Sequence, residues 1–424
     1  MIDLKKEQAL AILVGIDNDK GDIEWSMDEL RELAKTADIQ ICGTLTQKRE
    51  RPHPGTYLGK GKLDELADLI DDCEMTPNIL IFNDELSPAQ FRNLSNKFNC
   101  NIIDRSILIL DIFASGAHSA EGKLQVELAQ LQYRLSRLSG LGKMLSRLGG
   151  GIGTRGPGET KLETDRRHIR NRIDNLRAEL KEIRKNRDTM RKKRKRQGSF
   201  VAALVGYTNA GKSSILNLLT EIKEGEEVYV ADKLFATLDT TMRRTILSNG
   251  QEILLSDTVG FIEKLPHHLI QAFKATLEEL QHADVLIFVL DASHPQREAH
   301  RDVVLKTLED LGVMDKKIIT VFNKMDKDVE LPLPHDTRLT TTIEMSAKTG
   351  EGKKMLLGTI EEIYNSSKTT LTVLIPYAES KLVAYIHENC EIINQSHEET
   401  GTFFELIADE EVKNRLEPFC VAVV

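Results

Sequence analysis

The sequence predicts a multidomain α/β protein, and three observations carry that prediction. Over roughly the first hundred residues short apolar runs alternate with amphipathic stretches, the rhythm of a small βαβ sheet domain. Two long stripes of leucine and isoleucine at helical spacing then flank a glycine-rich interval. Beyond them an apolar run, Phe200 to Val205, enters Gly206-Tyr207-Thr208-Asn209-Ala210-Gly211-Lys212-Ser213 and continues into a helical Ser214 to Leu219. That order of strand, glycine loop and helix is the context in which a phosphate-cradling loop works.

Composition bounds the rest. A chain of 424 residues has room for roughly two to four domains with ample core. No apolar run approaches the ~20 residues needed to span a bilayer, and Met1 to Glu7 lacks the apolar stretch of a signal peptide. The expectation is a cytoplasmic protein without a membrane span. Cys42, Cys73, Cys100, Cys390 and Cys420 are scattered, odd in number and without metal-ligand spacing, which predicts reduced, buried thiols. The net charge of −9 argues against nucleic acid only on average. Between Lys161 and Arg196, 16 Lys and Arg accompany 6 Asp and Glu, a surplus of +10 that leaves −19 on the remainder.

The N-terminal elements follow in order: Ala9 to Val14, Met27 to Leu33, Ile39 to Ile41, Leu63 to Ile70, Ile79 to Phe82, Phe91 to Phe98, and Ile102 to Ile103. Ser87 before Pro88 reads as a helix cap followed by proline at the first helical position. Gly59-Lys60-Gly61-Lys62 lacks the hydroxyl and spacing of a second phosphate loop and reads as a helix start.

Leu124, Leu128, Leu131, Leu135 and Leu138 form one stripe, and Ile169, Ile173, Leu176, Leu180 and Ile183 another. The pair predicts an antiparallel coiled-coil hairpin. Its connector, residues 139–159, holds Gly140, Gly142, Gly149, Gly150, Gly151, Gly153, Gly156 and Gly158, and is expected to be too glycine-rich for helix. A structureless connector of about 20 residues is either a hinge or a basic finger ordered by a polyanion. The charge surplus favours nucleic acid, recognised through phosphates and shape, since aromatic residues are almost absent there.

The phosphate loop predicts a nucleoside triphosphate. Gly206 and Gly211 let backbone N–H groups close on phosphate oxygens at a helix N-terminus. Lys212 would reach the β- and γ-phosphates, and the Ser213 hydroxyl would hold Mg²⁺. Thr237, in the polar segment Leu234 to Thr241, is a candidate ligand for Mg²⁺ and the γ-phosphate. Asn249-Gly250 predicts a hairpin leading to Asp257-Thr258-Val259-Gly260. Asp257 would hold Mg²⁺ through water and the Gly260 N–H would sense the γ-phosphate. The apolar run Ile318 to Phe322 delivers Asn323-Lys324-Met325-Asp326. The Asp326 carboxylate can accept from N1–H and the N2 amino group of guanine, whereas adenine would leave it unpaired. Ser346-Ala347-Lys348 completes the set, with the Ala347 N–H facing guanine O6. The boxes together point to GTP.

Beyond these boxes the chain resembles the TRAFAC-type GTPases, and more closely the HflX family of the Obg-HflX group. The resemblance rests on Gln47 to Lys62 (QKRERPHPGTYLGKGK), Asp84 to Gln90 (DELSPAQ), Lys123 to Gln132 (KLQVELAQLQ) and Gly149 to Thr160 (GGGIGTRGPGET), and spans roughly Leu10 to Ser366. It implies a P-loop GTPase domain with a mixed, mostly parallel sheet. It also implies a cytoplasmic enzyme that binds the large ribosomal subunit, directs the glycine-rich connector toward the peptidyl-transferase region and separates stalled ribosomes. The expected organisation is a small α/β domain over 1–115, the helical hairpin over 116–197, the GTPase domain over 198–366 and a small α+β tail over 367–424, in a monomer.

Many GTPases place glutamine directly after the Asp-x-x-Gly box to orient water, whereas this chain has Phe261. Hydrolysis is therefore expected to be slow until a partner orders residues 231–241 and 261–266. Asn209 either coordinates a monovalent cation such as K⁺ beside the phosphates or braces the loop. His267 and His268 are read as a helix start. A GTP-dependent regulatory switch and a large-subunit assembly factor share the same motifs.

Overall fold

The computed structural model describes residues 9–19, 22–148, 157–196, 199–220, 234–235, 241–264, 279–329, 333, 341–366, 368–408 and 410–421. Thr237, His267 and His268 lie outside them, as does the middle of the glycine-rich interval, residues 149–156.

β1 (Leu10–Asp17), β2 (Gln40–Lys48), β3 (Ile79–Phe82) and β4 (Asn101–Asp104) form a parallel sheet in the order β2-β1-β3-β4. The apolar runs of β1 and β3, the inner strands, are buried because helices cover both faces, whereas the edge strand β2 buries only Leu45. α2 (Lys60–Asp72) and α3 (Pro88–Lys97) close one face around Leu66, Leu80, Phe82 and Leu94. α1 (Ile23–Thr36) and α4 (Arg105–Gly116) close the other. The predicted start of α3 is present in full, with Ser87 and Gln90 in a reciprocal capping box and Pro88 in the first turn. Gly59 caps α2, so the Gly-Lys-Gly-Lys stretch is a helix start. α4 was not legible in the sequence: it is apolar almost throughout, with Leu108, Ile109, Leu110, Ile112 and Phe113 all buried.

α5 (Ala120–Leu148) and α6 (Pro157–Arg196) make the hairpin. Its seam buries Leu128, Ile173 and Leu176, with Leu124, Leu131, Leu135, Ile169 and Leu180 packed around them. Arg172 grips Glu127 across the seam with two 2.8 Å hydrogen bonds. Midway along α5, Tyr133 and Arg137 both donate to Asp104 at 2.6 Å. Near the end of α6, Arg191 donates to Glu279 at 2.6 Å. The connector departs from expectation: α5 continues to Leu148 and α6 begins at Pro157, so residues 139–148 and 157–159 are helical. Each glycine costs a helix only about 1 kcal/mol, and Pro157 suits a first helical position.

The third unit is a six-stranded sheet of order β10-β9-β8-β5-β7-β6. β5 (Val201–Gly206), β7 (Glu252–Asp257), β8 (Val285–Asp291), β9 (Lys317–Asn323) and β10 (Thr341–Glu344) run parallel, and β6 (Thr241–Ile246) pairs antiparallel with β7 through the predicted Asn249-Gly250 turn. α7 (Lys212–Leu219) and the helix Lys353–Ser366 cover one face. The core on the other face is continuous with that of α1 and α4. The tail is an antiparallel sheet, β11 (Thr369–Pro376), β13 (Gly401–Ala408) and β12 (Glu391–His397), with the helix Ser380–Asn389 against it.

The cysteines are free but not buried. Cys42 and Cys420 are exposed, and Cys73, Cys100 and Cys390 are partly exposed.

Candidate nucleotide site

β5 lies between β7 and β8, so successive connections leave it in opposite directions, and the crevice at such a switch point is where open α/β sheets bind ligands. The loops after β5, β7, β9 and β10 all open at this end of the sheet. They bring together the sequence-predicted residues Gly206 to Ser214, Asp257, Gly260, Asn323, Lys324, Asp326, Ser346, Ala347 and Lys348.

The loop after β5 is built for close approach. Gly211 caps α7 at φ +95°, and a Cβ there would stand 2.1 Å from Asn323 Nδ2. Asn209 is also left-handed at φ 59° and is exposed. Ser213 and Ser214 sit in the first turn of α7, and Ser213 Oγ donates to Asp257 Oδ2 at 2.7 Å. Lys212 is buried, its Nζ donating to the carbonyls of Tyr207 at 2.7 Å and Gly206 at 3.1 Å. Burial pushes its ammonium down to about 8, with Asp257 pulling the other way. A Cβ on Gly260 would lie 3.0 Å from that Nζ, so the Asp-x-x-Gly turn faces the lysine directly. The Thr208 hydroxyl is buried in this loop without a hydrogen-bond partner among the described residues.

The loops after β9 and β10 clamp each other. Asn323 Nδ2 donates to the Ala210 carbonyl and its Oδ1 accepts from the Ala347 N–H, both at 2.9 Å. Ser346 Oγ donates to Asp326 Oδ1 at 2.7 Å and holds that carboxyl below its ordinary value. Lys348 Nζ is 3.9 Å from Asp326 Oδ2 and 84% exposed. Lys324, at φ 67°, donates to Asp291 Oδ2 at 2.7 Å. Asp291 was missed in the sequence; its place at the end of the apolar run from Val285 is the signal that could have found it.

Phe261 is 3% exposed and packs in the core shared with α1 and α4. Its backbone holds the phosphate loop: Thr208 N–H donates to the Phe261 carbonyl at 2.8 Å, and Phe261 N–H to the Gly206 carbonyl at 3.1 Å. The sequence also gave no sign of Glu29 and His300 at this loop. Tyr207 stacks on His300 with ring centroids 3.7 Å apart, and burial pushes that imidazole down to about 3, leaving it neutral. A cavity of about 170 Å³ opens between α1 and the loop, lined by Trp25, Glu29, Tyr207, Asn209, Asp291 and His300 among others.

Strand order, glycine loop, Asp-x-x-Gly turn and Asn-Lys-x-Asp clamp define a P-loop GTPase. Three family models match consecutive stretches of the chain: "GTP-binding GTPase N-terminal" over 24–114, "GTP-binding GTPase Middle Region" over 116–194, and "50S ribosome-binding GTPase" over 201–324. A protein named GTPase HflX from Lacrimispora saccharolytica is 48% identical over 95% of this chain and 94% of its own length. Another of that name, from Caldanaerobacter subterraneus subsp. tengcongensis, is 46% identical over 100% of this chain and 96% of its own. A solved structure titled "crystal structure of SsGBP and GDP complex" is 24% identical and covers 84% of this chain and 98% of its own, with a TM-score of 0.47. The chain belongs to the HflX family of GTPases and is a GTP-hydrolysing enzyme. Among the described residues no helix is long and apolar enough to cross a membrane.

Proposed function

We propose that this GTPase acts on the large ribosomal subunit, that its hydrolysis is completed there, and that it separates stalled ribosomes. The observation that carries the partner is the hairpin: a basic α6 beside α5, anchored at Asp104 and Glu279, on a protein that is otherwise acidic. The description of the family model matched over 201–324, "50S ribosome-binding GTPase", supports the same partner. The four-part division at 115, 197 and 366 belongs to this reading, as does a monomer in the cytoplasm.

At the nucleotide, Asp326 would select guanine, with Asn323 and Ser346 fixing its loop and the Ala347 N–H facing O6. Lys324 and Lys348 would flank the base. N–H groups of the loop from Tyr207 to Ser214, apart from that of Thr208, which is committed to the Phe261 carbonyl, would receive the phosphates. Lys212, now on two loop carbonyls, would turn to the β- and γ-phosphates, and the Gly260 N–H would meet the γ-phosphate. The hard oxygens of Ser213 and Asp257, already side by side, fit Mg²⁺, with Thr237 as the further ligand. Such an ion would supply positive charge against the phosphates. Asn209 would help hold K⁺ in the same service.

Phe261 favours a second reading, a switch with hydrolysis too slow to matter, because its ring is in the core and cannot orient water. Sedimentation of intact ribosomes with this protein and GTP, GDP or a non-hydrolysable analogue is the test. Release of subunits supports the proposal; ribosomes unchanged in every nucleotide contradict it and favour a switch or an assembly factor.

A further inference from the structure

Two cysteines 31 residues apart meet on the N-terminal sheet. β2 is an edge strand, and its register with β1 slips where Ala11 pairs with Ile41 and Ile12 with Gly43. Cys42 is therefore the extra residue of a β-bulge, a feature that re-aims a side chain out of strand alternation. Its thiol donates to the Ala11 carbonyl at 3.4 Å. Cys73, the residue that ends α2, brings its thiol to Cys42 Sγ at 3.3 Å. Cys42 is exposed and Cys73 partly so, which leaves both open to a small reagent.

We propose that Cys42 and Cys73 form a dithiol site that low-molecular-weight disulfides oxidise to an intramolecular disulfide. One protein thiolate attacks the reagent, forming a mixed disulfide and expelling one small thiol. The second protein thiol loses its proton and attacks the protein sulfur of that mixed disulfide, expelling the other small thiol. Two protein thiols become one S–S bond while one reagent disulfide is reduced to two thiols, which carry off both protons. The Cys42 residue is exposed, but its thiol is held against the Ala11 carbonyl and Cys73, and that desolvation and contact push it up to about 12, so little of Cys42 is thiolate at neutral pH and its exchange quickens as pH rises. The bond closes a loop containing Tyr57, whose hydroxyl donates to Asp84 at 2.5 Å, and Asp84 also receives Lys264 at 2.9 Å. The staple would thus bear on the segment that meets the residues following Gly260.

The test uses the full-length reduced protein, incubated at pH 8 with oxidised glutathione, alkylated and digested without reductant for mass spectrometry. The expected result is a peptide linked through Cys42 and Cys73, lost on adding dithiothreitol. Cys42→Ser and Cys73→Ser should each stop at the mixed disulfide, while Cys100→Ser, which removes the neighbouring thiol on the Pro77 carbonyl, should leave the link intact. Both thiols remaining alkylatable, glutathione persisting on both, or Cys100 or a second molecule taking one partner's place would overturn the proposal.

Discussion

The Tyr207 hydroxyl, in the phosphate loop, donates its proton to the Glu29 carboxylate on α1, 178 residues away in sequence. The same hydroxyl oxygen accepts from the Glu263 N–H at 2.7 Å, and Glu29 also receives Arg105 from the start of α4. Arg105 in turn donates to Asn83 at 3.0 Å, and Asn83 to Ser26 at 2.9 Å. One buried network therefore ties the N-terminal sheet, the phosphate loop and the segment after Gly260. Burial raises the Glu29 carboxyl above its ordinary value, against the pull of Arg105 and Tyr207.

Glu29→Ala would strand the Arg105 guanidinium, which is 2% exposed. Breaking such a pair costs about 3–5 kcal/mol, whereas Tyr207→Phe should cost only ~1–2 kcal/mol. Trp25, the single tryptophan, lies on α1 with its ring 5.7 Å from His300. Denaturant titration followed by its fluorescence reads both losses, and a midpoint unchanged in Glu29→Ala would contradict the network.

Gly211→Ala places a methyl group against Asn323 at a backbone angle that costs an L-residue roughly 1–2 kcal/mol before any clash. Guanine nucleotide affinity should drop at least about tenfold, since Asn323 links this loop to Ala347. Equilibrium binding of a fluorescent GDP analogue decides it.

Under the proposed reading, Asp326→Asn would remove the acceptor for N1–H and N2 of guanine and supply a donor that suits the 2-oxo group of xanthine. GTP affinity should fall by about 10²-fold or more, with XTP gaining relative to GTP. Competition binding of the two nucleotides checks both directions; equal retention of GTP would contradict the assignment.

Lys212 sets a pH dependence. Its ordinary value is 10.5 and burial lowers it to about 8 in the free protein, so above pH 8 the free site holds a neutral amine. Phosphate oxygens favour the charged form, so binding must take up a proton there. Affinity should be nearly flat around pH 7, begin to fall as the pH approaches 8 and weaken above it, approaching about tenfold per unit. Titration calorimetry in buffers of different ionisation enthalpy should show proton uptake growing from pH 7.5 to 9. Absence of uptake at pH 9 would contradict it.

Periodicity and punctuation made much of the fold legible. β1 to β4, the leucine and isoleucine seam, the Ser87 cap and the Asn249-Gly250 turn are local signals, each confined to a few residues. α4 escaped because a helix buried all round has no polar face to reveal its period. β12 escaped because Glu391 to His397 is largely polar and lies at a sheet edge. The connector was read from glycine content, yet the flanking helices extend into it. At the site, the loops carry their own motifs, but Asp291 under Lys324 and Glu29 under Tyr207 are pairings between distant segments, which spacing cannot register.

Single-turnover GTP hydrolysis by the full chain with and without large ribosomal subunits tests partner-dependent hydrolysis most directly. With Phe261 in place of a water-orienting side chain, hydrolysis should be slow alone and accelerate on the order of tenfold or more with subunits. Equal rates in the two conditions would contradict that dependence.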